Sequence, residues 1–178
     1  MLRQIVDTLV PKVEEREARA LAFVVLEDAF GLSRTDIYLG KDTAFSEDDT
    51  IRLEKILRRL EQGEPVQYVI GTAQFCNLTF RVTPDTLIPR PETEELVGWV
   101  ASLLPSEAPC SVLDVGTGTG CIAISLAKQF PRVQVTAWDI SEGALAVAQQ
   151  NAETNGVTVD FCQKDVLEVV NDAVASMP

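Results

Sequence analysis

The stretch Val112-Leu113-Asp114-Val115-Gly116-Thr117-Gly118-Thr119-Gly120-Cys121 constrains the fold more than any other. A short apolar run enters three glycines at alternate positions, and a helical pattern follows. Glycine is needed where the backbone turns tightly and where a ligand must come close to main-chain atoms. The next apolar run closes on Trp138-Asp139, with Asp139 lying 19 residues beyond Gly120. An acid at that place can accept hydrogen bonds from both ribose hydroxyls of an adenosine. A tight strand-to-helix turn with Asp139 as a helix-side cap is the plain alternative.

Around this loop the chain alternates helix and strand. A helix is expected over Pro91–Leu104, with Pro91 at its first position and Glu92, Glu94 and Glu95 in the first turn. A buried strand is expected over Ser111–Val115, then a helix over Thr119–Phe130 ended by Pro131 and a strand over Val133–Trp138. Ser141 caps a helix from Glu142 to about Asn155, Gly156 stops it, and Val157–Cys162 reads as a third strand. Such alternation implies a parallel sheet with right-handed crossovers, an α/β domain of Rossmann-like type.

The first 63 residues have a different character. Leu21, Val24, Val25 and Ala29 fall at helical spacing within Glu17–Phe30, and Gly31 follows as a stop. Ser33-x-x-Asp36 and Ser46-x-x-Asp49 resemble capping boxes. The second opens a segment with Ile51, Leu53, Ile56, Leu57 and Leu60, closed by Lys55, Arg58, Arg59 and Gly63. A small helical bundle results. From Cys76 to Thr83 the period becomes two, with Leu78, Phe80 and Val82 inward, and Thr83-Pro84-Asp85 marks a turn. The expected organisation is a helical domain over 1–73, a hairpin and linker over 74–90, and an α/β domain over 91–178.

Charge narrows the ligand. Residues 1–63 carry 10 Lys/Arg against 13 Asp/Glu, and residues 64–178 carry 5 against 14. Proteins that neutralise nucleic-acid phosphates need a basic surface, and the second half is the reverse. A dinucleotide fingerprint G-x-G-x-x-G fails, because Cys121 stands at its last position. A pyrophosphate would also meet Asp114, Asp139 and Asp165. S-adenosylmethionine carries no phosphate and brings a sulfonium and an ammonium, so the acids favour it. Asp165, with Val166 beside it, follows the third strand where an adenine pocket would have its edge; a plain loop aspartate fits equally well.

Histidine is absent, and Cys76, Cys110, Cys121 and Cys162 stand singly. Ser-His and Cys-His catalysis is thereby excluded, and a zinc site lacks its usual ligands. Scattered thiols point to a reducing, cytoplasmic setting. No secretory leader or membrane-spanning run is visible.

Two further stretches carry a resemblance: Glu64-Pro65-Val66-Gln67-Tyr68-Val69-Ile70-Gly71 and Leu87-Ile88-Pro89-Arg90-Pro91-Glu92-Thr93-Glu94. With the glycine loop, and in this order, they resemble the release-factor glutamine methyltransferases of the PrmC/HemK type. That resemblance implies a helical domain that docks a protein substrate ahead of a methyltransferase domain. The implied reaction methylates the side-chain amide nitrogen of glutamine in a Gly-Gly-Gln loop of a class I peptide release factor, with no direct part for nucleic acid or membrane.

By the same resemblance Gly116, Thr117, Gly118, Thr119 and Gly120 line the donor, Asp139 holds its ribose, and Asp165 and Val166 border its adenine. Leu87, Arg90 and Thr93 lie near its methionine end; for Arg90 the alternative is an ion pair with Glu92. The family also carries an Asn-Pro-Pro-Tyr motif that positions the amide, and this sequence does not contain it. The expectation is a catalytically silent fragment with no catalytic residue of its own. The alternatives are a nucleic-acid amino-methyltransferase and a donor-binding or partner-docking module without turnover.

Overall fold

The computed structural model describes residues 1–40, 45–104 and 110–168. The chain divides into two compact units, Met1–Gly71 and Thr72–Pro178. The expected α/β segment reaches 178, and its last ten positions lie outside the described residues.

The first unit is helical: α1 (Leu2–Leu9), α2 (Glu15–Val24), α3 (Arg34–Tyr38), α4 (Glu47–Glu61) and α5 (Val66–Ile70). Both capping boxes form. Ser33 Oγ accepts from Asp36 N–H and Ser46 Oγ from Asp49 N–H, each at 3.1 Å, and each aspartate accepts in return from the serine N–H. These bonds satisfy amides that the first helical turn leaves without partners. The spacing predicts one continuous helix over Glu17–Phe30. Instead α2 gives way at Val25 to a wider π turn, Val25–Ala29, which puts Val25, Leu26 and Ala29 all into the core. They join Ile5, Leu9, Ala22, Leu53, Ile56 and Leu60.

Arg59 explains much of the Glu64–Gly71 stretch. Its guanidinium forks onto Glu64 and also donates to the carbonyls of Tyr68 and Val69 at 3.1 and 3.0 Å. A cation thus sits where α5 exposes its last carbonyls, the end that the helix dipole makes negative.

The second unit opens with an antiparallel hairpin, β1 (Thr72–Phe75) and β2 (Leu78–Arg81), with Phe75 paired to Leu78. The period-two pattern places the start of a strand at Cys76. Cys76 and Asn77 are instead the two loop residues, with φ of 48° and 60°, the left-handed pair that matches strand twist in a two-residue hairpin. Glu94 steadies this turn by accepting from Cys76 N–H at 2.9 Å.

There follow α6 (Pro91–Leu103), β3 (Ser111–Val115), α7 (Cys121–Gln129), β4 (Gln134–Asp139), α8 (Glu142–Asn155) and β5 (Asp160–Gln163). The three strands form one parallel sheet in the order β3-β4-β5, with Val115 opposite Trp138 and Asp139 opposite Gln163. Ala123 and Ala127 of α7 cover Val135 and Ala137.

The expectation of a buried strand over Ser111–Val115 needs correction. Leu113 and Val115 are 47% and 48% exposed. Side chains alternate across a strand, so Val112 and Asp114 share the face of Val135 and Ala137 under α7, whereas Leu113 and Val115 point to the opposite face.

Candidate functional site

The site is built where β3 and β4 end side by side. Trp138 is paired with Val115, so its carbonyl lies at the start of the glycine loop and accepts from Gly116 N–H at 2.8 Å and Thr117 N–H at 3.0 Å. Gly120 N–H then donates to the Thr117 carbonyl at 2.9 Å, and Ile124 N–H to the Gly120 carbonyl at 2.8 Å, which starts α7. The turn is closed by its own backbone.

Its glycines do different jobs. Gly116, Gly118 and Gly120 have φ of 76°, 56° and 79°, a region that side chains disfavour. A Cβ on Gly120 would lie 2.8 Å from Ile124 Cδ1 and 3.2 Å from Ala148 Cβ, so this glycine lets α7 and α8 close on the loop. A Cβ on Gly116 or Gly118 would meet nothing within 4 Å. Those two positions border open space, as a ligand lying on the backbone requires.

Asp139, the last residue of β4, faces this space. Its Oδ2 accepts from Gly118 N–H at 2.8 Å and its Oδ1 from Ser141 N–H at 3.0 Å. A carboxylate offers about four lone-pair sites; these two bonds leave the rest free. Asp114 lies behind the loop and accepts from Thr117 Oγ1 at 2.7 Å. Burial pushes its carboxyl pKa up, the Thr117 bond opposes that, and the Asp139 charge adds to the rise. Two acids at one loop make its surroundings electronegative, which favours a cation over an anion.

The structure thus brings Asp139 and the turn Gly116–Gly120 together at the ends of β3 and β4. Asp165 lies two residues beyond β5, at the sheet end that holds Asp139, because Lys164 N–H donates to the Asp139 carbonyl at 3.0 Å. Asp165 Oδ1 accepts from Leu167 N–H at 2.8 Å and spans Val166. The Lys164 ammonium sits 4.3 Å from the centroid of the Trp138 ring.

Leu87, Arg90 and Thr93 are not bonded to the loop. Leu87 is 73% exposed, Arg90 is the N-cap residue of α6, and Thr93 N–H donates to the Arg90 carbonyl at 3.0 Å. Among the described residues Arg90 forms no ion pair, with Glu92 or otherwise. The preceding linker is nonetheless steered toward the site. Gly143, in the first turn of α8 and four residues past Asp139, has the Asp85 carboxyl carbon 3.2 Å from where its Cβ would be.

Sequence reasoning did not assign the roles of two residues that hold this arrangement. Glu94 pins the hairpin turn through Cys76 N–H. Asn151 is 1% exposed and bonds to both Arg81 and Thr119. Its signal was present: it continues the apolar spacing of Ala144, Leu145, Val147 and Ala148 along α8, and an amide at a core position must find partners.

Residues 1–71 match the family model described as PrmC N-terminal domain, and residues 99–177 match Methyltransferase small domain. Curated relatives that carry the name release factor glutamine methyltransferase include three that align over most of this chain. That of Bacteroides thetaiotaomicron is 45% identical over 165 residues, covering 93% of this chain and 58% of the relative. That of Flavobacterium psychrophilum is 41% identical, covering 93% and 59%. That of Koribacter versatilis is 38% identical over 185 aligned positions, covering 99% and 66%. The chain thus spans 58–66% of the length of these relatives.

Proposed function

We propose, from the premise that the chain belongs to the release factor glutamine methyltransferase family, that its second unit binds S-adenosylmethionine on the turn Gly116–Gly120. We propose further that the whole protein methylates the glutamine amide of a Gly-Gly-Gln loop in a class I peptide release factor. The observation that carries this reading is the Asp139 carboxylate. It is oriented by Gly118 N–H beside two glycines that open onto free space.

The bound donor supplies an electrophilic methyl group on a cationic sulfur. The residues of this chain act by holding and orienting. Asp139 keeps acceptor sites for the two hydroxyls of a ribose, and charge-assisted bonds of this kind are the stronger ones. Asp114 and Asp139 add negative potential that a sulfonium and an ammonium favour and a pyrophosphate does not. Asp165 and Val166 take the adenine edge. Leu87, Arg90 and Thr93 are assigned to the methionine end, a reading supported by the approach of Asp85, at the start of their linker, to Gly143 in the first turn of α8.

An amide nitrogen is a weak nucleophile because its lone pair is delocalised, so the reaction depends chiefly on placement of the amide against the methyl. These 178 residues contain no Asn-Pro-Pro-Tyr, and the role assigned to them is to bind the donor and, through the helical unit, the release factor. A cytoplasmic setting is part of the same proposal and is supported by the unpaired thiols. Among the described residues no helix is long and apolar enough to cross a membrane.

Calorimetric titration of the chain with S-adenosylmethionine, S-adenosylhomocysteine and NAD tests the binding step. Both adenosyl compounds should bind and NAD should not. Asp139→Asn should weaken donor binding by roughly tenfold to a hundredfold, the loss expected for a charged acceptor facing two hydroxyls. Preference for NAD, or an Asp139→Asn variant that binds as well as the parent, overturns the assignment. For the whole protein, methyl label should enter a release factor with Gly-Gly-Gln and be absent from one with Gly-Gly-Ala.

A further inference from the structure

One buried side chain joins the glycine loop to a segment far away in sequence. Asn151 Oδ1 accepts from Arg81 N–H at 2.7 Å, and its amide nitrogen donates to the Arg81 carbonyl at 3.0 Å and to the Thr119 carbonyl at 2.9 Å. Both amide hydrogens are used, so the group has a single satisfied orientation. On Arg81 it acts as the missing strand neighbour, pairing with N–H and C=O together. On Thr119 it holds the peptide plane that enters Gly120.

The surroundings turn this bond into a coupling. The Thr119 carbonyl belongs to the same peptide unit as Gly120 N–H, which closes the turn onto the Thr117 carbonyl. Two residues earlier, Gly118 N–H orients Asp139. The other side of the link is β2, and the chain leaving β2 runs along α8 toward its start. Asn155 Nδ2 donates to the Thr79 carbonyl at 3.1 Å, Asn151 holds Arg81, and Asp85 lies against Gly143. The linker bearing Leu87 and Arg90 leaves from there.

We infer that Asn151 is a positioning residue for donor binding. It locks the Thr119–Gly120 peptide to the hairpin, so that the glycine loop and the linker carrying Leu87–Thr93 form one preorganised unit. The inference rests on the donor-binding reading given above. Its physical content is separate: disturbance at Arg81 must reach the loop through this amide. An unsatisfied buried carbonyl on Thr119 would free the turn to rearrange, and a loop that must be reordered binds its ligand more weakly.

Asn155 supplies the control, since it bonds α8 to the same hairpin but not to the loop. In the full chain, Asn151→Ala should weaken S-adenosylhomocysteine binding by about tenfold, and Asn155→Ala by no more than about twofold. Amide hydrogen exchange gives a readout without ligand. In Asn151→Ala the Arg81 and Gly120 amides should exchange faster together, whereas in Asn155→Ala the Gly120 amide should keep the parent rate.

Faster exchange at Arg81 with unchanged Gly120 would overturn the coupling. So would losses of binding that merely follow lost stability in both variants. Should the alanine variant fail to fold, Asn151→Asp keeps the size and the acceptor for Arg81 N–H while removing both donations, to the Thr119 and the Arg81 carbonyls, and the same two measurements apply. A parent chain that binds no donor would sink the functional reading alone; the exchange measurement would still decide the role of Asn151.

Discussion

In residues 1–71 the polar groups that matter are serines and an arginine closing helix ends near themselves in sequence. Ser33 caps onto Asp36, Ser46 onto Asp49, and Arg59 onto Tyr68 and Val69. In the second unit they are backbone groups of one loop, held by Asp139 and Asn151 from 21 and 32 residues away. The first pattern stops helices. The second leaves a turn whose open side is available to a ligand, because its conformation is maintained from behind. The contrast separates a unit shaped by local signals from one whose working part exists only after the sheet has formed.

The sharpest way to break that comparison is to place the same methyl group on glycines of similar φ. Gly120→Ala should destabilise the second unit by about 3 kcal/mol, combining a left-handed alanine with overlap on Ile124 and Ala148. Gly118→Ala and, in the first unit, Gly31→Ala meet open space and should cost about 1 kcal/mol each. Denaturant unfolding can follow the units separately, because Trp99 and Trp138 lie in the second and Tyr38 and Tyr68 in the first. Gly118→Ala should also lose donor affinity out of proportion to its stability. Equal costs for Gly120 and Gly31 would remove the distinction between a glycine that seats two helices and one that merely ends a helix.

What could be read from sequence follows the same division. The capping boxes, the helix from Glu142 to Asn155 and the glycine turn itself are short-range patterns, and the structure holds them; Asp139, 21 residues from Gly118, was legible only through its place at the end of the next strand. The misjudged elements depend on neighbours distant along the chain. The exposed face of Leu113 and Val115 is set by which side of the sheet α7 covers. The hairpin turn at Cys76-Asn77 lacks the glycine that usually announces it and is held by Glu94 instead. Asn151 was legible as an amide in an apolar stripe, but its partners were not. No spacing rule joins Arg81 and Thr119 to one helix.

Acid should act on the two units in opposite senses at these groups. In the first, the Ser46 bonds hold Asp49 below its usual 3.8, and the bond to Arg59 holds Glu64 below 4.5. Each contributes stability that is complete above those values and is lost as pH falls through the lower folded pKa. In the second, burial raises Asp114 above 3.8. The folded state then binds the proton more readily than the unfolded one, so this cost is full at neutral pH and shrinks as pH falls through the raised folded pKa toward 3.8. Asp28, raised by burial and by Glu27, works against the trend within the first unit. Thermal melts at decreasing pH should lose the tyrosine-reported transition ahead of the tryptophan-reported one, and Asp114→Asn should flatten the pH response of the latter. A tryptophan transition that weakens first, with Asp114 intact, would contradict this assignment.

The smallest effect sharpens the comparison at matched chemistry, a serine at the start of a helix in each unit. Ser46 is half of a reciprocal box, taking Asp49 N–H while Asp49 takes the Ser46 amide. Ser141 Oγ accepts from Ala144 N–H at 3.2 Å, and the Ser141 amide is held by Asp139, an acid assigned to the ligand. Ser46→Ala should therefore cost about 1 kcal/mol and Ser141→Ala about 0.5 kcal/mol. Only the second should register in donor binding, since loosening the start of α8 also loosens the Ser141 N–H bond that helps to orient Asp139. Equal stability losses with no change in affinity would show that Asp139 is held by Gly118 alone, and that the start of α8 contributes no more to the site than the start of α4 does.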